Sequence, residues 1–584
     1  MPDTGDLPEI TVVNAVRSEP PAVPVGPLSL CASLERRGVR VQFEDYQARE
    51  GPGLGDPAAF ASWLAGSAPV LGLSVFSSSL PLVLAAAPRL KASRPDLTLI
   101  LGGPGTTGVE TLILQRFPAV DLVVHGEGEE TLCEIMNARR VGGALSGIPG
   151  LSYRGGDTVL TTPPRPRNAR LDDLPPPAYH LANLAPYQDP RWRSFTPFGV
   201  FLSRGCAFRC TFCAIPDAWQ GEVHTRTVDA VVSEIRELED RYGIDSFRVL
   251  DDTFTLDRRR AIAFCERMAA SGLALPWLCH ARVDLMDEAL LAALKAAGCQ
   301  LVFYGLESGS DRVLRRLGKT FSVSRALDVV EMSRRHVEVE TSFMWGFPFE
   351  SMDDLYDTLV ALLAVHDMGA RTKLSWFVPF PAMALMREHG DMLGRVFRHE
   401  AFPARSHMDA YPPGPELLDL VCGNRDLFPN FFYLDYPGHD EKMRYLKRRA
   451  LGETDARPEG GAGPARSRSG TARARGAGPL PMPVDGASVR SVGGRGFAFD
   501  AARLRAFRIS PFGESVFRAC ERHEALEGLV TELAARHARD RSAVRDAVRH
   551  VLDRFEAEGL IEADPRSPSP SCPNGLLRPP AASR

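Results

Sequence analysis

Three cysteines, Cys206, Cys210 and Cys213, are grouped in one short segment, whereas the other eight of the chain's eleven cysteines are spread along it. A disulfide framework of the kind that staples short secreted proteins is therefore not indicated. Thiolates bind iron–sulfur clusters, and three of them can hold three irons of a four-iron cubane. The fourth iron would keep an open coordination position, which is what distinguishes a catalytic metal from a structural one.

The same spacing allows two other interpretations. Positions 206, 210 and 213 fall on one face of a helix, so the cysteines could be small buried core residues. A zinc site is the second alternative, although no fourth ligand is evident nearby. The segment follows a predicted strand, contains Gly205 and reaches Pro216. These features are typical of a β/α loop, and they favour the cluster.

The cysteines lie near the start of a series of alternating strands and helices that covers residues 199–390. Six short apolar runs are separated by amphipathic stretches. The predicted strands are Val200–Ser203, Phe247–Leu250, Trp277–Ala281, Leu301–Tyr304, Glu338–Met344 and Leu374–Val378. Because a closed TIM barrel has eight repeats, we expect a partial (β/α)6 barrel with its site at the carboxyl ends of the strands.

Residues 1–140 form an earlier series of the same kind. The predicted strands are Ile10–Asn14, Val39–Phe43, Val70–Val75, Leu97–Leu101 and Asp121–Val124. This α/β pattern predicts a Rossmann-like, doubly wound parallel sheet, whose ligand would lie at the carboxyl ends of the strands. Small residues stand at those ends, namely Ser74, Ser77, Gly102, Gly103, Gly126 and Gly128.

The amino-acid composition divides the rest of the chain into five predicted segments. Residues 141–198 are rich in proline and predict a connecting hairpin and linker. Residues 391–451 predict a helical extension. Residues 452–496 carry almost no large apolar groups and predict a disordered linker. Residues 497–563 predict a small winged-helix-sized module of three helices, and residues 564–584 a disordered tail.

The length of 584 residues requires several domains, and the net charge of -4 gives no electrostatic argument for nucleic acid or a membrane as partner. No apolar run is long enough to cross a bilayer. The N-terminus does not have the pattern of a signal peptide. We therefore expect a cytoplasmic protein.

The pattern Cys206-x3-Cys210-x2-Cys213, with an aromatic residue before the last cysteine, resembles the radical S-adenosylmethionine (SAM) superfamily. The resemblance implies a [4Fe-4S] cluster on the three cysteines, with SAM on its open iron. It extends to motifs at the ends of the later predicted strands. The residues implied as SAM contacts are Asp251, Asp252, Arg282, Glu307, Ser308 and Gly346. One departure is Pro381-Ala-Met, where members of the superfamily usually have Pro-Gly-Thr.

The motifs Gly102-Gly103-Pro104 and Gly126-Glu127-Gly128 resemble the cobalamin-binding domain that is fused to many radical SAM enzymes. The resemblance implies cobalamin contacts at Ser74, Ser77, Gly102, Gly103, Gly126, Glu127 and Gly128. The Asp-x-His-x-x-Gly motif of histidine-ligated cobalamin is absent, so we predict that no protein histidine coordinates the cobalt. The alternative is a Rossmann-like domain that has lost the corrinoid. A methylthiotransferase would need a second cysteine group, which this part of the sequence lacks.

The segment from Ile509 to Phe517, with the helices that follow, resembles the PqqD-like domains of enzymes that modify ribosomal peptides. Amphipathic helices with a closing strand also describe a winged helix. Peptide recognition is therefore one of two interpretations of this module.

Together these resemblances imply a cobalamin-dependent radical SAM methyltransferase that acts on an unactivated carbon of a natural-product intermediate, either a small molecule or a ribosomal peptide. An external electron donor of the flavodoxin or ferredoxin type is implied. The alternative is a cobalamin-using radical SAM cyclase or rearrangement enzyme that does not methylate. A third hypothesis is a non-catalytic corrinoid-binding or peptide-carrier protein, against which the cysteine group argues.

Overall fold

The structure is a computed structural model that describes residues 7–18, 20–51, 53–189, 196–219, 221–396, 414–450, 482–484, 486–502, 504–522, 524–537 and 540–561. The chain forms two compact units. The first consists of Met1–Thr358 and Val365–Met443, and the second of Leu359–Ala364 and Arg444–Arg584. Among the described residues, no helix is both long enough and apolar enough to span a membrane.

The first domain is built on a seven-stranded sheet of order β2-β1-β3-β4-β5-β6-β7, in which β1 to β5 are parallel. Its elements are β1 (Ile10–Asn14), α1 (Val25–Arg36), β2 (Val41–Asp45), α2 (Pro57–Trp63), β3 (Val70–Ser74), α3 (Leu80–Ser93), β4 (Thr98–Gly102), α4 (Glu110–Arg116), β5 (Leu122–Val124), α5 (Gly128–Val141), β6 (Leu151–Gly155) and β7 (Thr158–Thr161). Neighbouring β1 residues Val12 and Val13 belong to apolar clusters on opposite faces. The predicted doubly wound sheet is confirmed.

The hairpin in residues 141–198 does more than connect two domains. Strand β6 pairs antiparallel with β5, and β7 pairs with β6, so the hairpin extends the first sheet. Leu151 is fully buried there. An uncovered edge at β5 would expose unpaired backbone groups, and the hairpin covers that edge. The domain therefore extends past residue 140, where the sequence placed its end.

The second domain is a six-stranded parallel sheet of order β15-β14-β13-β12-β11-β8. Its elements are β8 (Gly199–Val200), β9 (Ser203–Arg204), α6 (Ile215–Trp219), β10 (His224–Thr225), α7 (Val228–Tyr242), β11 (Phe247–Val249), α8 (Arg258–Ser271), β12 (Trp277–Ala281), α9 (Glu288–Ala296), β13 (Cys299–Glu307), α10 (Asp311–Arg316), α11 (Val323–Ser333), β14 (Glu338–Trp345), α12 (Met352–Asp367) and β15 (Arg371–Trp376). The predicted partial (β/α)6 barrel is confirmed.

Side-chain caps and strand alternation explain why this sequence folds into regular β/α repeats. Hydroxyls or carboxylates of Thr227, Asp257 and Asp287 accept hydrogen bonds from the first turns of α7, α8 and α9. Along β14, buried residues alternate with half-buried ones, as the two-residue period of a strand requires when its two faces differ in burial. This frame of capped helices and alternating strands fixes the strand ends and the loops that carry the site.

The extension that follows the barrel contains α13 (Ala384–His389), β16 (Leu393–Val396), α14 (Pro415–Gly423), β17 (Phe432–Leu434) and α15 (His439–Ala450). The sequence predicted only helices here, but β16 and β17 pair antiparallel. Leu417, Val421 and Phe428 are buried in the same apolar cluster as the first domain's Leu84 and Leu90. This extension therefore completes the core of the N-terminal domain.

The C-terminal unit has a three-stranded antiparallel sheet followed by three helices. They are β18 (Ala487–Val492), β19 (Arg495–Asp500), β20 (Arg505–Ile509), α16 (Pro511–Glu521), α17 (Leu526–His537) and α18 (Arg541–Ala557). The three helices lie where the sequence placed them. Strand β18 lies inside the range 452–496, so the predicted linker was too long at its C-terminal end. Residues 452–481 and the predicted tail, 564–584, lie outside the described residues.

Candidate active site

Cys206, Cys210 and Cys213 lie on the loop that follows β9, at the carboxyl end of the barrel strands. All three are free thiols and half-buried. The amide of Cys213 donates to the carbonyl of Cys210 over 3.2 Å. Gly205 has a φ of 95°, and a Cβ there would overlap the carbonyl oxygen of Glu222, so only glycine fits at this position. The loop geometry thus excludes the interpretation of the cysteines as one continuous helical face.

Burial raises the pKa of two of these thiols, Cys210 and Cys213, and so favours their protonated form in the absence of a metal. Burial, together with the nearby Cys210 and Asp252, raises the pKa of Cys213 to about 12, against a lowering by a backbone hydrogen bond. Burial also raises the pKa of Cys210, while Lys319 and Arg282 oppose that shift. Binding of a metal would therefore release protons from the loop.

The donor set fits an iron–sulfur cluster better than it fits a protein-only zinc site. Three free sulfur ligands share one loop, and two cations stand beside Cys210 to offset the negative charge of bound thiolates. Within the part of the chain that the structure describes, no three His, Cys, Asp or Glu side chains are already arranged around a common metal position. The fit therefore rests on the chemistry of the donors.

Arg282 stands directly beside the cysteine loop. Its Nη1 lies 3.8 Å from Cys210 Sγ, and its guanidinium lies 3.6 Å from the ring centroid of Phe208. The side chain is nearly buried, and Asp284 accepts from it over 3.0 and 2.9 Å. The structure thus brings this predicted SAM contact to the cluster loop, already oriented by the carboxylate of Asp284 and by Thr320.

Glu307 ends β13 in a left-handed backbone conformation, with a φ of 66°. Such a conformation is strained for a residue with a side chain, and strain of this kind concentrates at functional sites. Its carboxylate pairs with Lys319 Nζ at 2.9 Å, and both side chains are less than a tenth exposed. Lys319 also donates to the carbonyl of Gly305 over 3.1 Å. Sequence reasoning missed Lys319, because its place in a short loop after α10 carries no periodic signal.

Asp251 and Asp252 have separate surroundings. The carboxylate of Asp251 is buried and accepts from the amide of Leu202 over 2.7 Å and from the hydroxyl of Ser203, so it supports β9. Asp252 lies close enough to Cys213 to raise its pKa. Burial and the charge of Asp251 raise the pKa of Asp252 itself to about 6. Of the two, Asp252 is the carboxylate whose charge acts on a cysteine of the loop.

Ser308 and Gly346 follow the next strand ends. The hydroxyl of Ser308 is buried and hydrogen-bonds Thr358 at 2.9 Å, so the structure uses it to hold the loop. Gly346 has a φ of 95°, and its amide donates to Glu350 Oε2 over 3.0 Å. Both residues therefore shape the strand-end backbone.

A buried ion pair supports the Gly346 turn through Glu350, which accepts from the Gly346 amide. Lys442, on α15, pairs with Glu350 at 2.9 Å, and the two side chains are almost completely buried. Burial raises the pKa of Glu350 and lowers that of Lys442, while their mutual attraction opposes both shifts. Sequence reasoning missed this pair, because the two residues are far apart in the chain.

The predicted cobalamin residues lie at the carboxyl edge of the first sheet. Ser74 and Gly102 are register partners at the ends of β3 and β4. A Cβ on Gly103, whose φ is 94°, would stand 2.9 Å from the carbonyl oxygen of Val75. A Cβ on Gly105 would overlap the backbone of Phe76. These loops pack backbone against backbone, a close approach that glycine permits.

The remaining strand-end residues have definite partners. The carbonyl of Ser77 accepts from Asn430 over 3.3 Å. A Cβ on Gly128 would contact Leu30, so this glycine serves helix–sheet packing. Glu127 binds Arg204 through one carboxylate oxygen, while the other accepts from the amide of Asn168 over 2.8 Å. Its carboxylate is thus engaged within the protein.

His125 at the end of β5 points into the sheet edge. Its Nε2 lies 2.8 Å from the hydroxyl of Ser152 on β6, which in turn contacts Thr161 on β7. Burial lowers the pKa of His125. The prediction that no protein histidine coordinates cobalt remains a prediction, and His125 already has a hydrogen-bond partner.

Comparison with known proteins identifies the two domains. Residues 200–362 match the Radical SAM superfamily, so the barrel with the three-cysteine loop is a radical SAM domain. Residues 11–136 match the B12 binding domain. The chain thus combines a B12-binding domain with a radical SAM domain. These two domains imply a [4Fe-4S] cluster, SAM and cobalamin as cofactors, as the sequence predicted.

The relatives with curated descriptions include methyltransferases and cyclases. The chain is 33% identical over 296 residues to an uncharacterized methyltransferase of Pyrococcus horikoshii, which covers 50% of this chain and 63% of that protein. It is 28% identical over 366 residues to the anaerobic magnesium-protoporphyrin IX monomethyl ester cyclase of Rubrivivax gelatinosus, covering 61% and 64% respectively. The chain therefore spans less than two thirds of the length of these relatives.

Solved structures support the fold. The radical SAM methyltransferase TsrM from Kitasatospora setae superposes with a TM-score of 0.55 at 20% identity, over 66% of this chain and 78% of that one. The cobalamin-dependent SAM radical enzyme OxsB gives a TM-score of 0.51 at 17% identity, over 76% and 62%. At these sequence identities, the structural similarity shows only that the fold is shared.

Proposed function

We propose that this protein is a cobalamin-dependent radical SAM methyltransferase that acts on an unactivated carbon. The observation that carries the proposal is that one compact unit holds both a loop of three free cysteines at a barrel strand end and a B12-binding domain. A relative described as a methyltransferase, at 33% identity, supports the choice of reaction.

When bound, the cluster with SAM would supply a radical that takes hydrogen from the substrate, and cobalamin would supply the methyl group. In the chain itself, Cys206, Cys210 and Cys213 would hold three irons. Arg282 and Glu307 would bind SAM beside Cys210, since one is cationic and the other anionic, as a ligand with a free amino group and carboxylate requires.

The chain's other residues would position the ligands. Asp284 and Thr320 keep the Arg282 guanidinium beside Cys210. The close-packed backbone at Gly103 and Gly105 would let a corrinoid approach the sheet edge. Asp251 and Ser308 are buried and hydrogen-bonded to neighbouring groups, so we assign them a supporting role. Asp252 and the Gly346 turn remain proposed SAM contacts.

A cyclase or rearrangement enzyme that uses the same cofactors is the second candidate. It is favoured by the relatives described as anaerobic magnesium-protoporphyrin IX monomethyl ester cyclases, which match about as much of this chain as the methyltransferase does or more. The residues at the site are compatible with both reactions. The two candidates differ in the fate of the methyl group, which an assay can follow.

We further propose a small molecule or a ribosomal peptide as substrate, and an external one-electron donor of the flavodoxin or ferredoxin type. Nucleic acid is not proposed as a partner, because the net charge of -4 gives no electrostatic support for it. The C-terminal module, with its antiparallel sheet and three helices, is a candidate for binding a peptide. Its PqqD-like identity stays a prediction.

The first test is anaerobic turnover of the reconstituted full chain with SAM and reductant, with and without cobalamin. S-adenosylhomocysteine and 5′-deoxyadenosine are both quantified by mass spectrometry. Formation of both products, with S-adenosylhomocysteine dependent on cobalamin, supports the methyltransferase. Formation of 5′-deoxyadenosine alone would replace it with the cyclase or rearrangement reaction.

A further inference from the structure

A buried ion-pair group joins the B12-binding domain to the strand that precedes the cluster cysteines. Arg204 Nη1 donates to Glu127 over 2.9 Å, and its Nη2 donates to Glu129 over 2.8 Å. The exposed fractions of the three side chains are 13%, 9% and 9%. One guanidinium therefore bridges two carboxylates of the other domain, in a place from which most water is excluded.

On the barrel side, Arg204 is rigidly connected to the first cluster cysteine. It ends β9, and only Gly205 separates it from Cys206. Ser203 is held by the buried carboxylate of Asp251 and by antiparallel pairing with Thr225. Gly205 has no room for a side chain. We therefore expect a shift of the Arg204 backbone to move Cys206 as well.

On the other side, Glu127 ends the loop after β5, and Glu129 lies in the first turn of α5. The second oxygen of Glu127 accepts from the amide of Asn168, so its carboxylate is held from two directions. Both carboxylates thus stand at the edge of the first sheet, where the corrinoid is proposed to bind.

Arg167, in the segment that follows β7, makes a second connection between the two domains, from the loop after β5 to α6. Arg167 donates to the carbonyl of Ala218, and its guanidinium lies 4.9 Å from the ring centroid of Trp219. The same guanidinium packs on Gly126, where a Cβ would stand 2.8 Å from Nη1. The segment after the cysteines is therefore also held against the loop that follows β5.

We propose that Arg204 is a positioning residue that sets the separation between the cluster loop and the corrinoid loop, with Glu127 and Glu129 as its partners. Glu127 then acts by holding the two loops together, and its carboxylate does not contact the corrinoid. The inference rests on the proposed function, because the separation matters for catalysis only if both cofactors serve one reaction. Misplacing reacting groups by 1 Å can cost about 100-fold in rate.

The sharpest variant is Arg204→Lys. It keeps the positive charge between two buried carboxylates, whose mutual repulsion would destabilise an alanine variant. A single ammonium cannot reproduce the planar fork that reaches both carboxylates at once. The matched control is Arg226→Lys, because Arg226 is similarly buried and pairs with the buried Glu234 and with Asp172, outside the corrinoid loop.

The experiment uses the full chain, reconstituted anaerobically with iron, sulfide and cobalamin. Hydrogen–deuterium exchange is measured over residues 125–130 and 204–213, and the ratio of S-adenosylhomocysteine to 5′-deoxyadenosine is measured with SAM and a chemical reductant. We expect Arg204→Lys to raise exchange in both segments and to lower the product ratio by at least about tenfold, since the reacting groups would be misplaced. Arg226→Lys should change neither.

Two outcomes would overturn the proposal: equal exchange in the two segments for both variants, or a product ratio in Arg204→Lys that equals that of the wild type. Iron and cobalamin contents and the thermal midpoint separate loss of position from loss of cofactor or fold. If the wild type forms no cobalamin-dependent S-adenosylhomocysteine, the proposed function fails. The exchange measurement still decides whether Arg204 links the loops.

Discussion

The cluster loop and the corrinoid loops are built from different kinds of residue. Around Cys210 stand charged side chains in buried ion pairs, Arg282 with Asp284 and Lys319 with Glu307. At the edge of the first sheet, Gly103 and Gly105 leave room for backbone to pack on backbone. Charge thus dominates around Cys210, whereas the absence of side-chain volume dominates at Gly103 and Gly105. Substitutions that change charge should therefore affect the iron–sulfur cluster and SAM, whereas substitutions that add volume should affect cobalamin.

The largest effect is expected from Cys210→Ala, which removes one of the three sulfur ligands. We expect iron content to fall sharply and 5′-deoxyadenosine formation to drop to the level of a control without enzyme, because a cluster on two ligands is not retained. Iron analysis and mass spectrometry of SAM products provide the measurement.

Cys265→Ala is the matched control, since Cys265 is buried in α8 of the same barrel. It should retain iron and lose only packing, at a cost of about 1 kcal/mol. Retention of iron and SAM cleavage in Cys210→Ala would contradict the assignment of the loop.

Gly105→Ala tests the corrinoid side of the comparison. The added Cβ would overlap the backbone of Phe76, so the loops after β3 and β4 must separate. We expect cobalamin binding to weaken strongly while iron content remains, with a loss of stability of about 1–3 kcal/mol from overpacking. Cobalamin retained after gel filtration is the measured quantity.

Gly142→Ala controls for a loss of stability without loop overlap. Unlike Gly105, Gly142 has a positive φ, 67°, and a Cβ there meets no atom within 4 Å. We expect Gly142→Ala to lower the free energy of unfolding by about 1–2 kcal/mol, because alanine is strained in the left-handed conformation. Cobalamin binding should be unchanged. Equal cobalamin binding by the two variants would show that close loop packing is not what the corrinoid requires.

Lys442→Met tests the buried charge that pairs with Glu350, whose carboxylate accepts from the amide of Gly346. Removing it leaves the buried Glu350 unpaired, which should cost about 3–5 kcal/mol in the free energy of unfolding. The double variant with Glu350→Gln should recover part of that loss. Urea denaturation measures both, and a single variant as stable as wild type would contradict the importance of the pair.

The loss in Lys442→Met should depend on pH. Without Lys442, burial and the charge of Asp354 raise the pKa of Glu350 above the ordinary carboxylate value in the folded state, while the Gly346 amide opposes that shift. Such a group favours the fold while it is protonated, and this contribution is lost as pH rises through its pKa. The variant should therefore be closer to wild-type stability at about pH 5 than at about pH 8. The double variant should show no such difference.

Local sequence patterns predicted the two β/α series, because strand alternation and helix periodicity are local properties. The grouping of the three cysteines on one loop was likewise evident, since all three lie on one segment. The structure also places Arg282, which the resemblance implied as a SAM contact, beside Cys210. What these predictions share is that each depends on a short stretch of chain or on a strand end.

Features that depend on distant residues were not predictable in this way. Lys442 meets Glu350 only after α15 returns to the barrel, and Arg204 meets Glu127 only after the two domains pack. Strand β6 joins the first sheet because β5 needs an edge partner, which proline content does not reveal. Strand β18 was missed because it adjoins a segment rich in glycine and arginine, which dominated the composition of the whole range.

The smallest effect concerns the helical frame that carries both sites. The hydroxyl of Thr227 accepts from the amide of Ala230 and caps α7. Thr227→Ala should cost about 1 kcal/mol of stability, whereas Thr227→Ser should retain the cap. Neither variant should change iron content, cobalamin content or the ratio of SAM products, because the cap adjoins neither loop. If Thr227→Ala changed cofactor content while Thr227→Ser did not, the helical frame would have to be counted with the loops as part of the cofactor sites.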